Sequence, residues 1–295
     1  MKVVLFGQSG QVGEAILKTE RNDIEWVCPE RSLAEGDLLY PCAVSRFLKE
    51  VKPEAIVNAA AFTAVDKAQS DFEKAQIINA EAPKVMARTA ADIGAYFIHL
   101  STDYVFNGSG CRPWSEEDIA EPINAYGLTK LFGERAVLKE NNSALILRLS
   151  WLHAPGHKNF VTAICERLKI QQEIIVVDDQ WGSPTAANDA AEVILKILSR
   201  FQEGRALTGL YHFANSGYCS RFQCAQELIK QLQEDGISWA FDKKLRSAKT
   251  NEFFQAQPRP LNCRLSTAKL RRDLKIAPRP WQEALGATLK FLHQT

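Results

Sequence analysis

Short apolar runs alternate with longer segments of helical periodicity through the first half of the chain. We predict strands at 3–6, 24–28, 54–58, 96–101 and 144–148, and helices at 12–18, 40–51, 71–93 and 124–140. Strands that alternate with helices of this kind are typical of a parallel sheet covered by helices on both faces. The pattern therefore predicts an α/β protein with a doubly wound parallel sheet, whose ligand lies at the carboxyl ends of the strands.

Beyond residue 150 the alternation is looser. Strands are predicted at 174–177 and 209–213, and helices at 185–199, 221–233 and 281–291. We interpret residues 1–150 as the doubly wound domain. Residues 151–295 are interpreted mainly as a smaller C-terminal lobe that is partly interleaved with the sheet.

The segment after the first predicted strand has the spacing of a phosphate-binding loop. Gly7, Gly10 and Gly13 stand three residues apart, between the strand at 3–6 and the helix that follows. Glycines let the backbone turn tightly and approach a pyrophosphate, and a helix N-terminus adds amide donors and a favourable dipole. This placement favours a Rossmann-type dinucleotide site over a simple tight turn.

The end of the second predicted strand carries residues that distinguish the two nicotinamide cofactors. Glu30 is suited to the ribose hydroxyls of NADH, whereas Arg31 is suited to the 2′-phosphate of NADPH. Both are present, so the choice between NADPH and NADH stays open. Asp37 and Leu38 follow in the next turn and are predicted to lie near the adenine.

A second group of residues has the chemistry of carbonyl reduction. Tyr126 and Lys130 are four residues apart, so they share one face of a helix. A nearby cation stabilises phenolate, and we therefore expect the Tyr126 pKa to lie below its ordinary value of about 10. Thr102 ends the fourth predicted strand, where its hydroxyl would hold a carbonyl while Tyr126 protonates it. Thr102, Tyr126 and Lys130 are the predicted catalytic residues.

Composition narrows the range of partners. The formal net charge is +1 and 46% of the residues are hydrophobic, which favours a soluble globular protein and gives no reason to expect nucleic acid as a partner. We expect neither a signal peptide nor a membrane-spanning helix, and therefore a cytoplasmic protein. The seven cysteines form no C-x-x-C pair, which predicts reduced thiols rather than disulfides or a zinc site.

Several motifs spread over nearly the whole chain carry a family resemblance. The matching stretches are 5–13, 57–68, 101–106, 126–130, 209–213 and 259–262. In them the sequence resembles the dTDP-4-dehydrorhamnose reductase family of extended short-chain dehydrogenases. The run Thr-Ala-Val-Asp-Lys-Ala at 63–68 is far more specific than the glycine loop.

The resemblance implies roles for particular residues. The residues predicted to bind NADPH or NADH are Gly7, Gly10, Gln11, Val12, Gly13, Glu30, Arg31, Asp37, Leu38, Ala61, Phe62, Thr63, Leu100, Tyr126 and Lys130. For these, the resemblance implies that Gly10, Gln11 and Val12 hold the pyrophosphate and that the run 61–63 lines the nicotinamide side. It implies that a dTDP-linked 4-keto-6-deoxy sugar is bound by Thr63, Val65, Thr102, Asp103, Trp151 and Arg259. Among these, Arg259 is assigned to the substrate pyrophosphate, because guanidinium binds phosphate in a bidentate manner.

Two positions depart from the family pattern. Some members dimerise around a magnesium ion held by glutamates, but here Ala15 follows Glu14. We therefore predict no metal, and leave open whether the protein is a monomer or a homodimer. Leu100 stands where relatives carry an aromatic residue, which would alter the cofactor pocket slightly.

The activity implied by the resemblance is reduction of the C4 ketone of dTDP-4-dehydro-6-deoxy-L-mannose (dTDP-4-dehydrorhamnose) to dTDP-L-rhamnose, for surface polysaccharide synthesis. A related ketoreductase, for example of the streptose type, would share every motif. A dehydratase is disfavoured, because Tyr104 rather than a second acid follows Asp103. A non-catalytic NAD(P)-binding regulatory subunit, like that of methionine adenosyltransferase, would not need the Tyr126 and Lys130 pair.

Overall fold

The computed structural model describes residues 1–19 and 21–293, with side chains as far as residue 290. Within this range the strands are β1 Lys2–Phe6, β2 Glu25–Val27, β3 Ala55–Asn58, β4 Tyr96–Thr102, β5 Leu145–Leu149, β6 Leu152–His153, β7 Glu173–Val177, β8 Trp181–Gly182, β9 Thr185–Ala186, β10 Gly209–Phe213, β11 Cys219–Ser220, β12 Lys244–Ala248 and β13 Asn262–Cys263. The α-helices are α1 Gln11–Lys18, α2 Pro41–Val51, α3 Phe72–Gln76, α4 Ala82–Ile93, α5 Ala125–Glu140, α6 Phe160–Ile170, α7 Ala187–Gln202, α8 Arg221–Glu234, α9 Ala268–Leu274 and α10 Trp281–His293.

One parallel sheet organises the first half of the chain. Its six strands lie in the order β10-β5-β4-β3-β1-β2. The predicted doubly wound parallel sheet is therefore confirmed. Strand β10 extends this sheet although it comes from beyond residue 150, because the chain returns to pair Gly209–Phe213 with β5.

The sheet is covered on both faces, which explains why its strands are continuous apolar runs. In β1, Val3 and Leu5 pack with α1 and α7, whereas Val4 and Phe6 pack with α2 and α4 on the other face. Each of these four side chains is at most 1% exposed. Among the described residues, no helix is long and apolar enough to cross a membrane.

The remaining strands form small sheets in the second half of the chain. Their orders are β11-β8-β13, β12-β7 and β6-β9. A separate apolar core joins α6, β7, α8 and α10, with Leu168, Ile174, Leu228 and Leu285 fully buried.

The structure corrects the predicted helix at 71–93 and adds two helices that the pattern did not predict. A π-helical turn at Ile77–Glu81 separates α3 from α4. Helices α6 and α9 were not predicted from hydrophobic periodicity. A capping box was nevertheless present before α6, where the Asn159 side chain accepts the Thr162 amide and Thr162 bonds back to Asn159.

The strand order reverses between β1 and β3, which places a crevice between their carboxyl ends. The residues that follow these two strands, Gly7 and Ala59, are in close contact. This crevice is where a doubly wound sheet binds its ligand.

A buried ion pair fixes α5 against the sheet. Both nitrogens of the Arg148 fork bond the Glu134 carboxylate, at 2.8 Å for Nε and 2.6 Å for Nη2. The Ser101 hydroxyl donates to the same carboxylate at 2.5 Å, and the two charged side chains are each 3% exposed. Helix α5 is therefore tied to both β4 and β5.

We predict that Glu134→Ala lowers the free energy of unfolding by about 3–5 kcal/mol, because it leaves the Arg148 guanidinium buried without its carboxylate. The matched control is Glu140→Ala, which removes a pair to the mainly exposed Arg88 side chain and is expected to cost less than about 1 kcal/mol. Urea denaturation measures both. Equal losses in the two variants would contradict the assignment of Glu134 as the anchor of α5.

Candidate active site

The glycine loop forms a tight turn between β1 and α1. Gly7 has a φ of +84°, and the Gly10 amide donates to its carbonyl at 3.0 Å. Within the described residues no side chain caps the start of α1, so its first-turn amides are available to an anionic ligand.

Two of these glycines are required by close backbone packing. A Cβ on Gly7 would lie 2.6 Å from the Ala59 carbonyl carbon, and one on Gly13 would overlap the Gly7 carbonyl. Gly13 therefore packs directly against the Gly7 backbone. Packing of this kind is what brings the β1 and β3 ends together at the crevice.

A cleft of about 540 Å³ occupies the crevice. Most of the residues predicted to bind the cofactor line it: Gly7, Gly10, Gln11, Val12, Arg31, Asp37, Leu38, Ala61, Phe62, Thr63, Leu100, Tyr126 and Lys130. Gly13 and Glu30 are not among the lining residues. Glu30 is exposed and accepts a hydrogen bond from the Ser32 hydroxyl at 3.1 Å.

The cleft also has a wall that the sequence pattern did not identify. His157 and Lys158, from the loop between β6 and α6, line it together with the glycine loop. His157 is held there by Glu14 of α1, with 2.6 Å between Nε2 and Oε2. No local motif marks these residues, because they reach the cleft only through the packing of the second half of the chain against α1.

Asn79 on the π-helical turn holds the loop that follows β3. Its carboxamide bonds both the amide and the carbonyl of Phe62, at 2.8 and 3.1 Å, and donates to the Thr129 hydroxyl at 3.0 Å. Asn79 is fully buried, so these bonds satisfy its side chain. The π turn thus joins the loop after β3 to α5 through Asn79, and π turns are frequent at functional sites.

Helix α5 carries the predicted proton donor and the predicted cation. The helix begins after Asn124, whose side chain accepts the Gly127 amide at 2.9 Å. The Tyr126 ring packs edge-on against Tyr104, with 5.6 Å between centroids. Lys130 is 2% exposed and its Nζ donates to the Leu100 carbonyl at 2.7 Å.

The expectation of a lowered pKa for Tyr126 is wrong. Burial raises the Tyr126 pKa to about 12, and the nearby Thr102 hydroxyl only partly opposes this. The physical reason is that desolvation disfavours phenolate more than the surrounding groups favour it. Tyr126 is therefore a fully protonated donor at neutral pH.

Burial also disfavours the charged form of Lys130, which for an amine means a lower pKa. It lowers the Lys130 pKa to about 8, while the Glu134 carboxylate acts in the opposite direction. His99 lies beside the ammonium, with 3.4 Å between Nζ and Nε2, and burial keeps the pKa of its imidazole well below the usual value. Lys130 thus loses its proton as the pH rises through about 8.

Thr102 and Asp103 form a buried polar cluster at the end of β4. The Thr102 hydroxyl donates to Asp103 Oδ1 at 3.0 Å and accepts the Tyr104 amide at 3.2 Å. The Ser150 hydroxyl donates to Asp103 Oδ2 at 3.0 Å. Burial raises the pKa of the Asp103 carboxyl despite these bonds. To hold a carbonyl, the Thr102 hydroxyl has to rotate away from Asp103.

Trp151, Arg259 and Val65, three further predicted substrate residues, lie outside the cleft lining. Trp151 follows β5 with a φ of +43°, and a Cβ on Gly182 would overlap its indole ring. Arg259 pairs with Asp66, with 2.8 Å between Nη2 and Oδ1. Val65, in the loop after β3, is half-buried. Of the predicted substrate residues, only Thr63 also lines the cleft.

A glycine loop at the switch point, with a half-buried tyrosine and a buried lysine one helical turn apart beside a threonine hydroxyl, defines the class of NAD(P)-dependent short-chain dehydrogenases. The family model described as "RmlD substrate binding domain" matches residues 1–294. The chain belongs to this family, which includes the dTDP-4-dehydrorhamnose reductases.

Known relatives match the chain over its length. The dTDP-4-dehydrorhamnose reductase of Escherichia coli (strain K12) is 36% identical over 298 residues, covering 100% of this chain and 99% of the relative. The crystal structure of a dTDP-4-dehydrorhamnose reductase from Clostridium acetobutylicum has a TM-score of 0.91 and 34% identity, covering 99% of this chain and 100% of that one. The enzyme from Bacillus anthracis, solved in complex with NADP, has a TM-score of 0.89 and 29% identity, covering 98% of this chain and 99% of that one.

We expect Gly13→Ala to abolish dinucleotide binding, because the added methyl group displaces the Gly7 carbonyl and opens the loop. Fluorescence titration with NADPH measures the effect. The control is Gly286→Ala on α10, where a Cβ would meet only the end of the Gln231 side chain. Wild-type affinity in Gly13→Ala would show that the loop does not hold the cofactor.

Proposed function

We propose that this chain reduces the C4 ketone of dTDP-4-dehydro-6-deoxy-L-mannose to dTDP-L-rhamnose, with NADPH or NADH, in the synthesis of surface polysaccharide. The observation that carries the proposal is the position of Tyr126 and Lys130, which line the same cleft as the glycine loop. The names of the full-length relatives support the choice of substrate.

The bound cofactor supplies a hydride to C4 of the sugar. In the proposed mechanism Tyr126 transfers its phenolic proton to the C4 oxygen, so that the ketone becomes a hydroxyl without a free alkoxide. The charged form of Lys130 favours the phenolate that remains on Tyr126. Thr102, turned from Asp103, donates its hydroxyl hydrogen to the carbonyl and orients it.

The two parts of the chain are proposed to divide the binding. Residues 1–150 would hold most of the cofactor, and residues 151–295 would mainly bind the sugar nucleotide through Trp151 and Arg259. His157 and Lys158 are an exception, because they line the cofactor cleft from the second part. A cytoplasmic location is proposed with this function, and the free state of the seven cysteines fits a reducing compartment.

Tyr126→Phe tests the assignment of the acid. We expect kcat to fall by about 10²–10⁴-fold, the usual contribution of a general acid, with the Kd for NADPH unchanged. The assay follows NADPH absorbance with dTDP-4-dehydrorhamnose as substrate and identifies the product by mass. Tyr104→Phe is the matched control, since its ring packs against Tyr126. Full turnover by Tyr126→Phe would overturn the mechanism.

We further propose that the enzyme prefers NADPH. Arg31 lines the cleft, whereas Glu30 does not and instead accepts a bond from Ser32. A guanidinium at this strand end matches a 2′-phosphate, and the exposed Glu30 outside the cleft lining does not oppose it.

Arg31→Ala is therefore expected to raise the KM for NADPH by about 10- to 100-fold and to leave the KM for NADH nearly unchanged, because a charge-assisted contact is lost only with the phosphorylated cofactor. Steady-state kinetics with each cofactor measures this. Glu30→Gln serves as the control and should change neither value. An equal loss with both cofactors would contradict recognition of the 2′-phosphate by Arg31.

A further inference from the structure

Arg221 is held by aromatic rings at the start of α8. Its guanidinium carbon lies 3.5 Å from the centroid of the Trp151 ring and 4.6 Å from that of Phe160. The start of the helix is fixed by a capping box, in which the Ser220 hydroxyl accepts the Gln223 amide at 3.1 Å and the Gln223 side chain accepts the Ser220 amide. Arg221 is therefore fixed in place before any ligand binds.

Arg221 has no anionic partner in the described part of the chain. Two other half-buried arginines are paired with carboxylates, Arg259 with Asp66 and Arg279 with Asp189, each at 2.8 Å, while the half-buried Arg200 and Arg264 at least hydrogen-bond a carbonyl or an amide oxygen. The Arg221 side chain makes neither an ion pair nor a hydrogen bond among residues 1–19 and 21–293. Stacking on aromatic faces leaves the N–H groups at the edge of the guanidinium free to bind an anion.

The charge of Arg221 reaches the proposed substrate residues. Burial raises the pKa of Asp103 and of Tyr104, and Arg221 opposes the shift at both. Arg259 also opposes it at Tyr104. The charges of Arg221 and Arg259 therefore both act on Tyr104, which directly follows Asp103, a proposed sugar-binding residue.

We propose that Arg221 is a second binding residue for the diphosphate of the nucleotide-sugar substrate, acting with Arg259. This inference rests on the proposed function, in which the substrate is a dTDP-linked sugar. A diphosphate diester carries two negative charges, and two guanidinium groups match them in charge and in bidentate geometry. Arg259 already pairs with Asp66, whereas the Arg221 guanidinium has no ion-pair or hydrogen-bond partner among the described residues.

The stack also links phosphate binding to the sugar. Trp151, which Arg221 contacts, is the proposed sugar-binding tryptophan and has a strained left-handed backbone. One cation at this point would bind the diphosphate and support the ring that contacts the sugar.

The test is isothermal titration of dTDP, which carries the diphosphate but no sugar, into protein saturated with NADPH. We expect Arg221→Met to weaken dTDP binding by about 10- to 100-fold, the loss of a charge-assisted contact. Arg221→Lys should lie between Met and wild type, because it keeps the charge without the planar fork. The control Arg246→Met removes an exposed arginine on β12 and should match wild type.

The outcomes separate the possible roles. Unchanged dTDP affinity with a raised KM for the sugar substrate would mean that Arg221 only supports Trp151, and would overturn the proposal. If Arg221→Met is misfolded and fails to bind NADPH, the Arg221→Lys variant decides. A dTDP affinity equal to that of wild type at both low and high salt overturns the proposal, and a reduced affinity supports it. A third outcome is that wild type binds dTDP more tightly than Arg221→Met does, but reduces no dTDP-linked keto-sugar. That result would overturn the proposed function and still support diphosphate binding by Arg221.

Discussion

The buried pair between Glu134 and Arg148 positions the proposed catalytic helix. Tyr126, Lys130 and Glu134 follow one another at intervals of four residues along α5, so they lie along one side of the helix. The Glu134 carboxylate accepts hydrogen bonds from Arg148 of β5 and Ser101 of β4. Arg148 in turn contacts His212 of β10, with 3.3 Å between Nη1 and Nε2. The adjacent strands β4, β5 and β10 are thereby joined to α5, one helical turn beyond Lys130.

Burial explains the protonation of the proposed reactive groups better than the neighbouring charges do. It raises the pKa of Tyr126 to about 12 and lowers that of Lys130 to about 8, because in both cases the charged form loses hydration. The phenol consequently keeps its proton until a stronger base forms beside it. An alkoxide developing on a substrate carbonyl is such a base, so the donor is ready without a lowered pKa.

The second half of the chain contributes cations to both ends of the proposed ligand complex. Lys158 lines the cofactor cleft, while Arg221 and Arg259 are placed so that their charges oppose the rise in the Tyr104 pKa. The formal net charge of the whole chain is only +1, so two anionic ligands depend on such local placement rather than on a general positive field. Trp151 follows β5 and packs against both Gly182 of β8 and the Arg221 guanidinium.

The sequence by itself determined the doubly wound sheet, the glycine loop and the spacing of Tyr126 and Lys130, because strand and helix periods and short-range spacing are local properties. It did not indicate the π turn that aims Asn79 at Phe62, the cleft wall at His157, or the stacking of Arg221 on Trp151. It also gave the wrong direction for the Tyr126 pKa. These features were decided by the tertiary structure, because burial and contacts between residues distant in sequence exist only once the two halves of the chain have packed together.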